Sequence, residues 1–376
     1  MTNPRCALAW PPGPRQDGVM SATSPIALHP ASVTVENARG HFDNGRGYLA
    51  AAAMGLPSRA SIAAQHNDLD LWSQARRSPL DYGPIVESTR AHYAALVGVA
   101  VDRVAIGSQT SALVSVVAAA VPAGAEVLCV DGDFSSIVFP FLQRPDVCVR
   151  HIALNELAEA ITDDTWLVVF SHVQSATGVV ADTTGITAAA ARHDAFTLCD
   201  TTQSAGVHPV DAAQFSATVC HAYKWLASPR GAAFLTLSAE FQRHLVPVQA
   251  GWYAGDNVWA SCYGPEMTLA NDARAFDVSP AWPAWVGAQP ALELFASLDI
   301  AAVWLHAVGL GNALCDALNI EQQNQAIVTW ADADGADLAK LAAADIRASA
   351  RSGRLRAAFH LWNDLDDVAD VATALR

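Results

Sequence analysis

Residues 196–231 read FTLCDTTQSAGVHPVDAAQFSATVCHAYKWLASPRG. The run FTLCD at 196–200 is apolar up to Asp200, the pattern of a strand buried on both faces that delivers a carboxylate at its carboxyl end. An Asp in that position costs desolvation unless it is partnered, so Asp200 is a functional candidate as well as a candidate cap for the next helix. A second apolar run, SATVCHA at 216–222, leads directly to Lys224.

Lys224 is unusual in this chain. Lys and Arg together number 22, and only Lys224 and Lys340 are lysines. Where Arg is the habitual cation, a Lys marks a place that guanidinium does not serve. Lys224 lies among apolar residues before a Pro229-Arg230-Gly231 turn. A desolvated amine in such a place loses its proton readily and suits a nucleophile that forms a Schiff base. Lys340, in DLAKLAA, has the spacing of an exposed helix face.

Outward from this stretch, short apolar runs alternate with helical ones. RVAIG, EVLCV, CVRHIA and WLVVF precede FTLCD as strands, and SATVCHA and GAAFLTLS follow it. VESTRAHYAALVG, TSALVSVVAAAV, SSIVFPFL and TTGITAAAARHD read as the intervening helices. The pattern is that of an α/β fold with a mostly parallel sheet between helices. The last sixty or so residues read as a smaller α+β domain. The expected organisation is a flexible extension over 1–40, rich in Pro, Gly, Ser and Thr, then a large domain over 41–286 and a small C-terminal domain over 287–376. Within the large domain, 249–286 is irregular and Trp-rich.

Composition narrows the function. With 22 basic and 37 acidic residues the net charge is −15, which argues against a duplex nucleic-acid or anionic-membrane binder. The seven cysteines form no CxxC or metal-ligand spacing and read as small core residues in a reducing compartment. No apolar stretch is read as reaching the ~18–20 residues of a membrane span. The first 20 residues lack a signal-peptide core, so a soluble, cytoplasmic protein is expected.

Ligands of open parallel sheets bind at the carboxyl ends of strands. There the sequence places Thr110 and Ser111 opening a helix, Phe134, Ser175 and the group Asp200 to Gln203. Thr110 and Ser111 suit a phosphate held on free helix N–H groups, although helix capping alone also explains them.

The strand-end Asp200, Gln203 three residues later, and Lys224 in a YKWL-x-x-P-x-G setting together resemble the class V aminotransferase family of pyridoxal-phosphate enzymes of fold type I. That family includes cysteine desulfurases, selenocysteine lyases, kynureninases and isopenicillin N epimerase. The resemblance runs from YLAAAAMGLP at 48–57 to RLRAAFHLWNDLDDV at 354–368. It implies that Lys224 bonds the aldehyde of pyridoxal 5'-phosphate and later moves the proton at substrate Cα. It implies that Asp200 pairs with the pyridine nitrogen and Gln203 with the ring hydroxyl, near which Ser175 replaces a family Asn. Phe134 stands where many relatives place a stacking His. Thr110, Ser111 and His221 match the phosphate pocket, and Arg356 the clamp on the substrate α-carboxylate. A homodimer with active sites at the subunit interface is also implied, with 249–286 and the N-terminal extension as contributors.

Two departures from the family pattern bear on the reaction. The region 316–376, where desulfurases carry a persulfide-forming Cys on a mobile loop, contains no Cys. The family's Gly-Thr, donated to the neighbouring subunit's phosphate, is replaced by Ser279-Pro280, and Trp252, Trp282 and Trp285 are candidates to line the pocket or to pack the core. The favoured expectation is a β-lyase, a C–S lyase related to selenocysteine lyase, acting on a cysteine-like or cysteine-conjugate amino acid. An aminotransferase or an epimerase of specialised metabolism is the alternative, and a non-catalytic scaffold of the same fold a third.

Overall fold

The computed structural model describes residues 33–264 and 266–376. Ten strands are present: β1 (Val104–Gly107), β2 (Glu126–Val130), β3 (Cys148–Ile152), β4 (Thr165–Ser171), β5 (Phe196–Asp200), β6 (Ala217–His221), β7 (Ala233–Leu237), β8 (Ile327–Ala331), β9 (Ser349–Arg351) and β10 (Arg354–Ala358). The α-helices are α1 (Val35–Arg39), α2 (Arg59–Ser73), α3 (Tyr82–Leu96), α4 (Thr110–Ala120), α5 (Ser135–Leu142), α6 (Thr183–Arg192), α7 (Ala239–Gln242), α8 (Trp282–Ala296), α9 (Ile300–Ala317), α10 (Ala336–Ala343) and α11 (Leu365–Ala374).

The large sheet has the order β1-β7-β6-β5-β4-β2-β3. Its β2/β3, β2/β4, β4/β5 and β5/β6 pairs are parallel, and β7 runs antiparallel to both β6 and β1. Successive residues of a strand point to opposite faces, and here both faces are dry. Val127, Cys129, Leu167 and Val169 join one core with α4 and α5, while Leu128, Val130, Val168 and Phe170 join another with α6. Burial on both faces is why these strands read as continuous apolar runs, as expected. The direction of β7 is invisible in such a run, because a strand buried on both faces looks the same either way.

The small sheet is antiparallel, in the order β8-β10-β9, and α9, α10 and α11 complete its layer. The N-terminal segment is tied to this part of the molecule. Thr34 caps α1, Val33 bridges Leu298, Leu49 N–H donates to Arg347 O at 2.7 Å, and Leu49 O accepts from Ala358 N–H at 2.8 Å. Of the arm expected over 1–40, residues 1–32 lie outside the described residues, while 33–40 lie on the surface, anchored by buried Ala38 and by Val33 and Val35 against the core. The expected boundary at 286/287 falls inside α8, a continuous helix that starts with Pro283 in its first turn and packs on α2 and α3.

Two further expectations need correction. Ile300–Ala317 is long and apolar enough to cross a membrane by length and composition, with a mean hydropathy of 1.3. His306 and Asn312 interrupt it in the sequence and mask that average; Val303, Ala307, Leu310 and Leu314 on its buried side belong to the core. Among the described cysteines, Cys148 and Cys262 are exposed and the other four buried, all of them free. Cys6 lies outside the described residues.

Candidate active site

The fold gathers the carboxyl ends of β1, β2, β4, β5 and β6 at one rim of the sheet. Thr110, Ser111, Phe134, Ser175, Asp200, Gln203, His221 and Lys224 all line one cleft there. Gln109, Ser136, Ser171, Thr202, Tyr223 and Arg230, not singled out by sequence, line it too.

Asp200 ends β5 and is buried, with Oδ1 accepting from Thr202 N–H at 2.8 Å. Desolvation raises its pKa to about 6 against the lowering effects of Thr202 and of Lys224. Lys224 is buried after β6, and burial lowers its pKa to about 8, with Asp200 opposing the shift and Arg356 and Arg351 adding to it. Its Nζ lies 5.2 Å from the centre of the Phe134 ring and 5.7 Å from that of Tyr223. Close backbone approach behind the lysine depends on glycine. Gly55 N–H donates to Tyr223 O at 2.9 Å, and a Cβ on Gly55 would lie 2.0 Å from Lys224 O. Gly206, at φ +98°, also passes close to the next carbonyl, where a Cβ would lie 2.7 Å from Trp225 O.

Gln203 is fixed at every polar atom. Its Oε1 accepts from the Trp225 indole at 2.7 Å, and its Nε2 donates to Ala52 O and Ser175 Oγ, each at 3.0 Å. Trp225 and Ala52 are separated from Gln203 by 22 and 151 positions, so no local pattern announces them.

At the other end of the cleft α4 opens after an extended Gln109 that supplies no side-chain cap, leaving first-turn N–H groups free for an anion. His221 faces this region with a buried Nε2 that has no hydrogen-bond partner. Burial, Arg230 and Lys224 lower its pKa to about 4, so it is neutral at pH 7. Arg230 stacks over Tyr223 at 4.8 Å. Asp133 holds both Ser171 Oγ and Ser171 N–H, at 2.6 and 2.8 Å, and accepts from Phe134 N–H at 2.7 Å, so one carboxylate positions two cleft residues.

Arg356 reaches the site from β10. It is fully buried, donates to Ser175 O and to Ser349 Oγ at 3.0 and 3.2 Å, and forms no ion pair with a carboxylate among the described residues. Burial lowers its pKa to about 10. A buried guanidinium without a counter-ion is a waiting anion site. The tryptophans do not line this cleft. Trp285 packs edge-on to Phe234 at 5.5 Å, Trp282 stacks on Tyr82 at 4.8 Å, and Trp252 packs on Trp259 at 5.0 Å. Aromatic area is more useful in those cores than at a polar rim.

A phosphorylated pyridine aldehyde fits this donor set: the α4 N-terminus and the unpartnered His221 for its phosphate, Asp200 for its ring nitrogen, Lys224 for its aldehyde.

The comparisons agree with that fit. Curated relatives include a kynureninase of Deinococcus radiodurans, 29% identical over 272 residues that cover 68% of this chain and 65% of the relative. An uncharacterised aminotransferase, YcbU of Bacillus subtilis, is 28% identical over 58% of this chain and 61% of its own length. Isopenicillin N epimerase of Amycolatopsis lactamdurans is 28% identical over 45% and 48%. The chain thus spans less than two thirds of each of these relatives. Among solved structures, the cysteine desulfurase CsdA of Escherichia coli superposes with a TM-score of 0.78 at 19% identity, covering 90% of this chain and 96% of that one. The cystine C-S lyase C-DES superposes at 0.79 and 20% identity, covering 88% and 97%. The family model for aminotransferase class-V matches residues 81–349. The chain belongs to the class V aminotransferase family, and its fold is the fold type I architecture of pyridoxal-phosphate enzymes.

Proposed function

We propose that this chain is a pyridoxal-phosphate-dependent β-lyase acting on a cysteine-like or cysteine-conjugate amino acid. The observation that carries the reading is the proximity of a buried amine that gives up its proton easily, Lys224 on the cleft wall, to a buried guanidinium that has no carboxylate partner, Arg356, which bonds the cleft residue Ser175 from behind and whose charge reaches Lys224. That pair suits an α-amino acid: Arg356 takes the α-carboxylate in a two-pronged hydrogen bond, and the amino acid's Cα is then presented to the Lys224 amine. The bound cofactor supplies an electron-accepting ring for the electrons left at Cα. Asp200, kept in a dry pocket, holds a proton on the ring nitrogen. Gln203, fixed by Trp225 and Ala52, positions Ser175 Oγ beside the ring hydroxyl. Thr110, Ser111 and His221 would hold the phosphate, and Phe134 would offer the ring an aromatic face.

In elimination, Lys224 removes the Cα proton and the Cβ–S bond breaks with its electron pair leaving on sulfur, which departs as a thiol once protonated. Hydrolysis of the remaining fragment gives a keto acid and ammonia. None of the described cysteines lines the cleft, which favours direct release of the leaving group over its capture on a protein thiol. C-DES, described as a cystine C-S lyase, has the same fold. Two of the three curated relatives, an uncharacterised aminotransferase and an isopenicillin N epimerase, support a second reading, aminotransferase or epimerase, while the third is a kynureninase.

Incubating holoenzyme with a panel of amino acids that includes S-substituted cysteines, followed by mass spectrometry, separates these readings. The expected result is keto acid and free thiol without an added amino acceptor. Keto acid only when an acceptor is present would establish a transaminase instead, and deuterium at Cα of otherwise intact substrate an epimerase.

A further inference from the structure

A second cavity, of about 610 Å³, is bounded by Thr177 and Val179 of the large domain and by Thr329, Trp330 and Arg354 of the small one, with Glu321 also on its wall. Arg356 and Ser175 do not line it, but it is built from the same two segments. Arg356 donates to Ser175, and two residues further along the same two stretches stand Arg354 and Thr177. Residues two apart on a strand share a face, about 7 Å from each other along the backbone. Arg354 and Arg356 are such a pair on β10, so a ligand held by Arg356 can extend toward Arg354.

Arg354 is also directly opposite Arg351 in the β9/β10 register. Cross-strand partners share a face with Cβ atoms about 5 Å apart, and like charges in that position repel. In a chain with 37 acidic and 22 basic residues, neither arginine forms an ion pair among the described residues. Arg354 is half-buried and spends its donors on Thr329 O and Oγ1, at 3.0 to 3.2 Å, while exposed Arg351 donates to Ala350 O at 2.7 Å. Glu321 makes no ion pair with either. Arg354 on the cavity wall and its cross-strand neighbour Arg351 are two facing cations left without a counter-ion, the chemistry of an anion subsite.

We infer that Arg354 and Arg351 hold an acidic group at the far end of the substrate's side chain, so that the substrate class is an amino acid bearing a side-chain carboxylate in addition to its α-carboxylate. This rests on the reading of Arg356 as the α-carboxylate site. The strand spacing suits two carboxylates joined through a thioether with two methylenes on either side, the skeleton of an S-carboxyethyl cysteine. The positive field of Arg351 reaches Lys224 and Arg356, which agrees with its position near the cleft.

Unreactive analogues without an amino group test the subsite free of turnover. Holoenzyme is titrated calorimetrically with 3,3'-thiodipropanoate and with its monoamide. The dicarboxylate should bind at least tenfold more tightly, and Arg354→Gln and Arg351→Gln should each bring the two ligands within threefold while leaving monoamide affinity and the cofactor absorbance unchanged. Arg351 is exposed, so its variant remains informative if loss of Arg354 disturbs folding. Monoamide binding without a preference for the dicarboxylate, or a preference that survives in both variants, overturns the subsite and leaves Arg356 standing. If neither ligand binds, the Arg356 reading fails and the subsite with it.

Discussion

Lys224 and Asp200 are buried at the ends of neighbouring strands, and desolvation pushes each toward its neutral form. For Asp200 the consequence is a stability cost that function requires. Its folded pKa of about 6 lies above the ordinary carboxyl value of 3.8, so between pH ~4 and ~6 the folded chain keeps a proton that the unfolded chain has lost. Stability of the cofactor-free protein therefore falls as pH rises through that window, and the cost is complete above it, at ~3 kcal/mol. Asp200→Asn keeps the acceptor for Thr202 and removes the charge. Cofactor-free Asp200→Asn should melt several degrees above the parent at pH 7, with the gap closing toward pH 4, while its holoenzyme loses activity. Equal melting temperatures at pH 7 would show that the carboxylate is not strained by burial. At this scale the sequence was informative where chemistry is local: a lone Lys among arginines and an Asp closing an apolar strand are visible by eye. The partners that fix Gln203 were not, because contacts across 22 and 151 positions arise from topology alone.

The elements explain how these side chains are held. β4, β5 and β6 are short, dry and parallel, and their apolar runs end at residues that line the cleft, which made both the strands and the candidate site legible. The rim also needs an anchor that no pattern announced. Arg90 on α3 is fully buried, donates to Val104 O and pairs with Asp277, whose Oδ1 accepts from Ile106 N–H at 2.8 Å. This pair ties α3 and the segment before α8 to β1, the strand that leads into Thr110. Burial raises the Asp277 pKa to about 6 against the pull of Arg90. Removing Asp277 leaves buried Arg90 with half-exposed Glu87 as its remaining counter-ion and Ile106 N–H without an acceptor, so Asp277→Ala should destabilise the protein by about 3 kcal/mol in denaturant titration. A loss under 1 kcal/mol would mean that water or a neighbour solvates Arg90. The same kind of long-range packing hid other elements: five-residue α1 is too short to show a period, and α8 crosses an expected domain boundary because its first-turn Pro reads equally well as a loop.

For the molecule as a whole, a mostly parallel sheet between helices followed by a smaller α+β part was readable from the order of apolar runs, whereas the antiparallel β7 was not. The cavity between Thr177 and Arg354 was not, since its walls come from both parts. We propose a homodimer, and the surface chemistry supports it. Ile62, Leu69 and Trp72 of α2 are exposed, share one side of the helix and lie near exposed Leu80; Trp259 and Tyr263 are exposed in the irregular segment. Apolar area of this kind calls for cover, and a second copy of the chain is the expected occupant. Light scattering should give twice the monomer mass for the holoenzyme; a monomer with full cofactor occupancy would exclude a shared site. The proposed catalysis depends most on one covalent attachment, and it can be read directly. Holoenzyme reduced with borohydride, digested and mapped by tandem mass spectrometry should carry a phosphopyridoxyl group on Lys224 and an unmodified Lys340; label on Lys340 instead, or on neither lysine, would contradict the assignment.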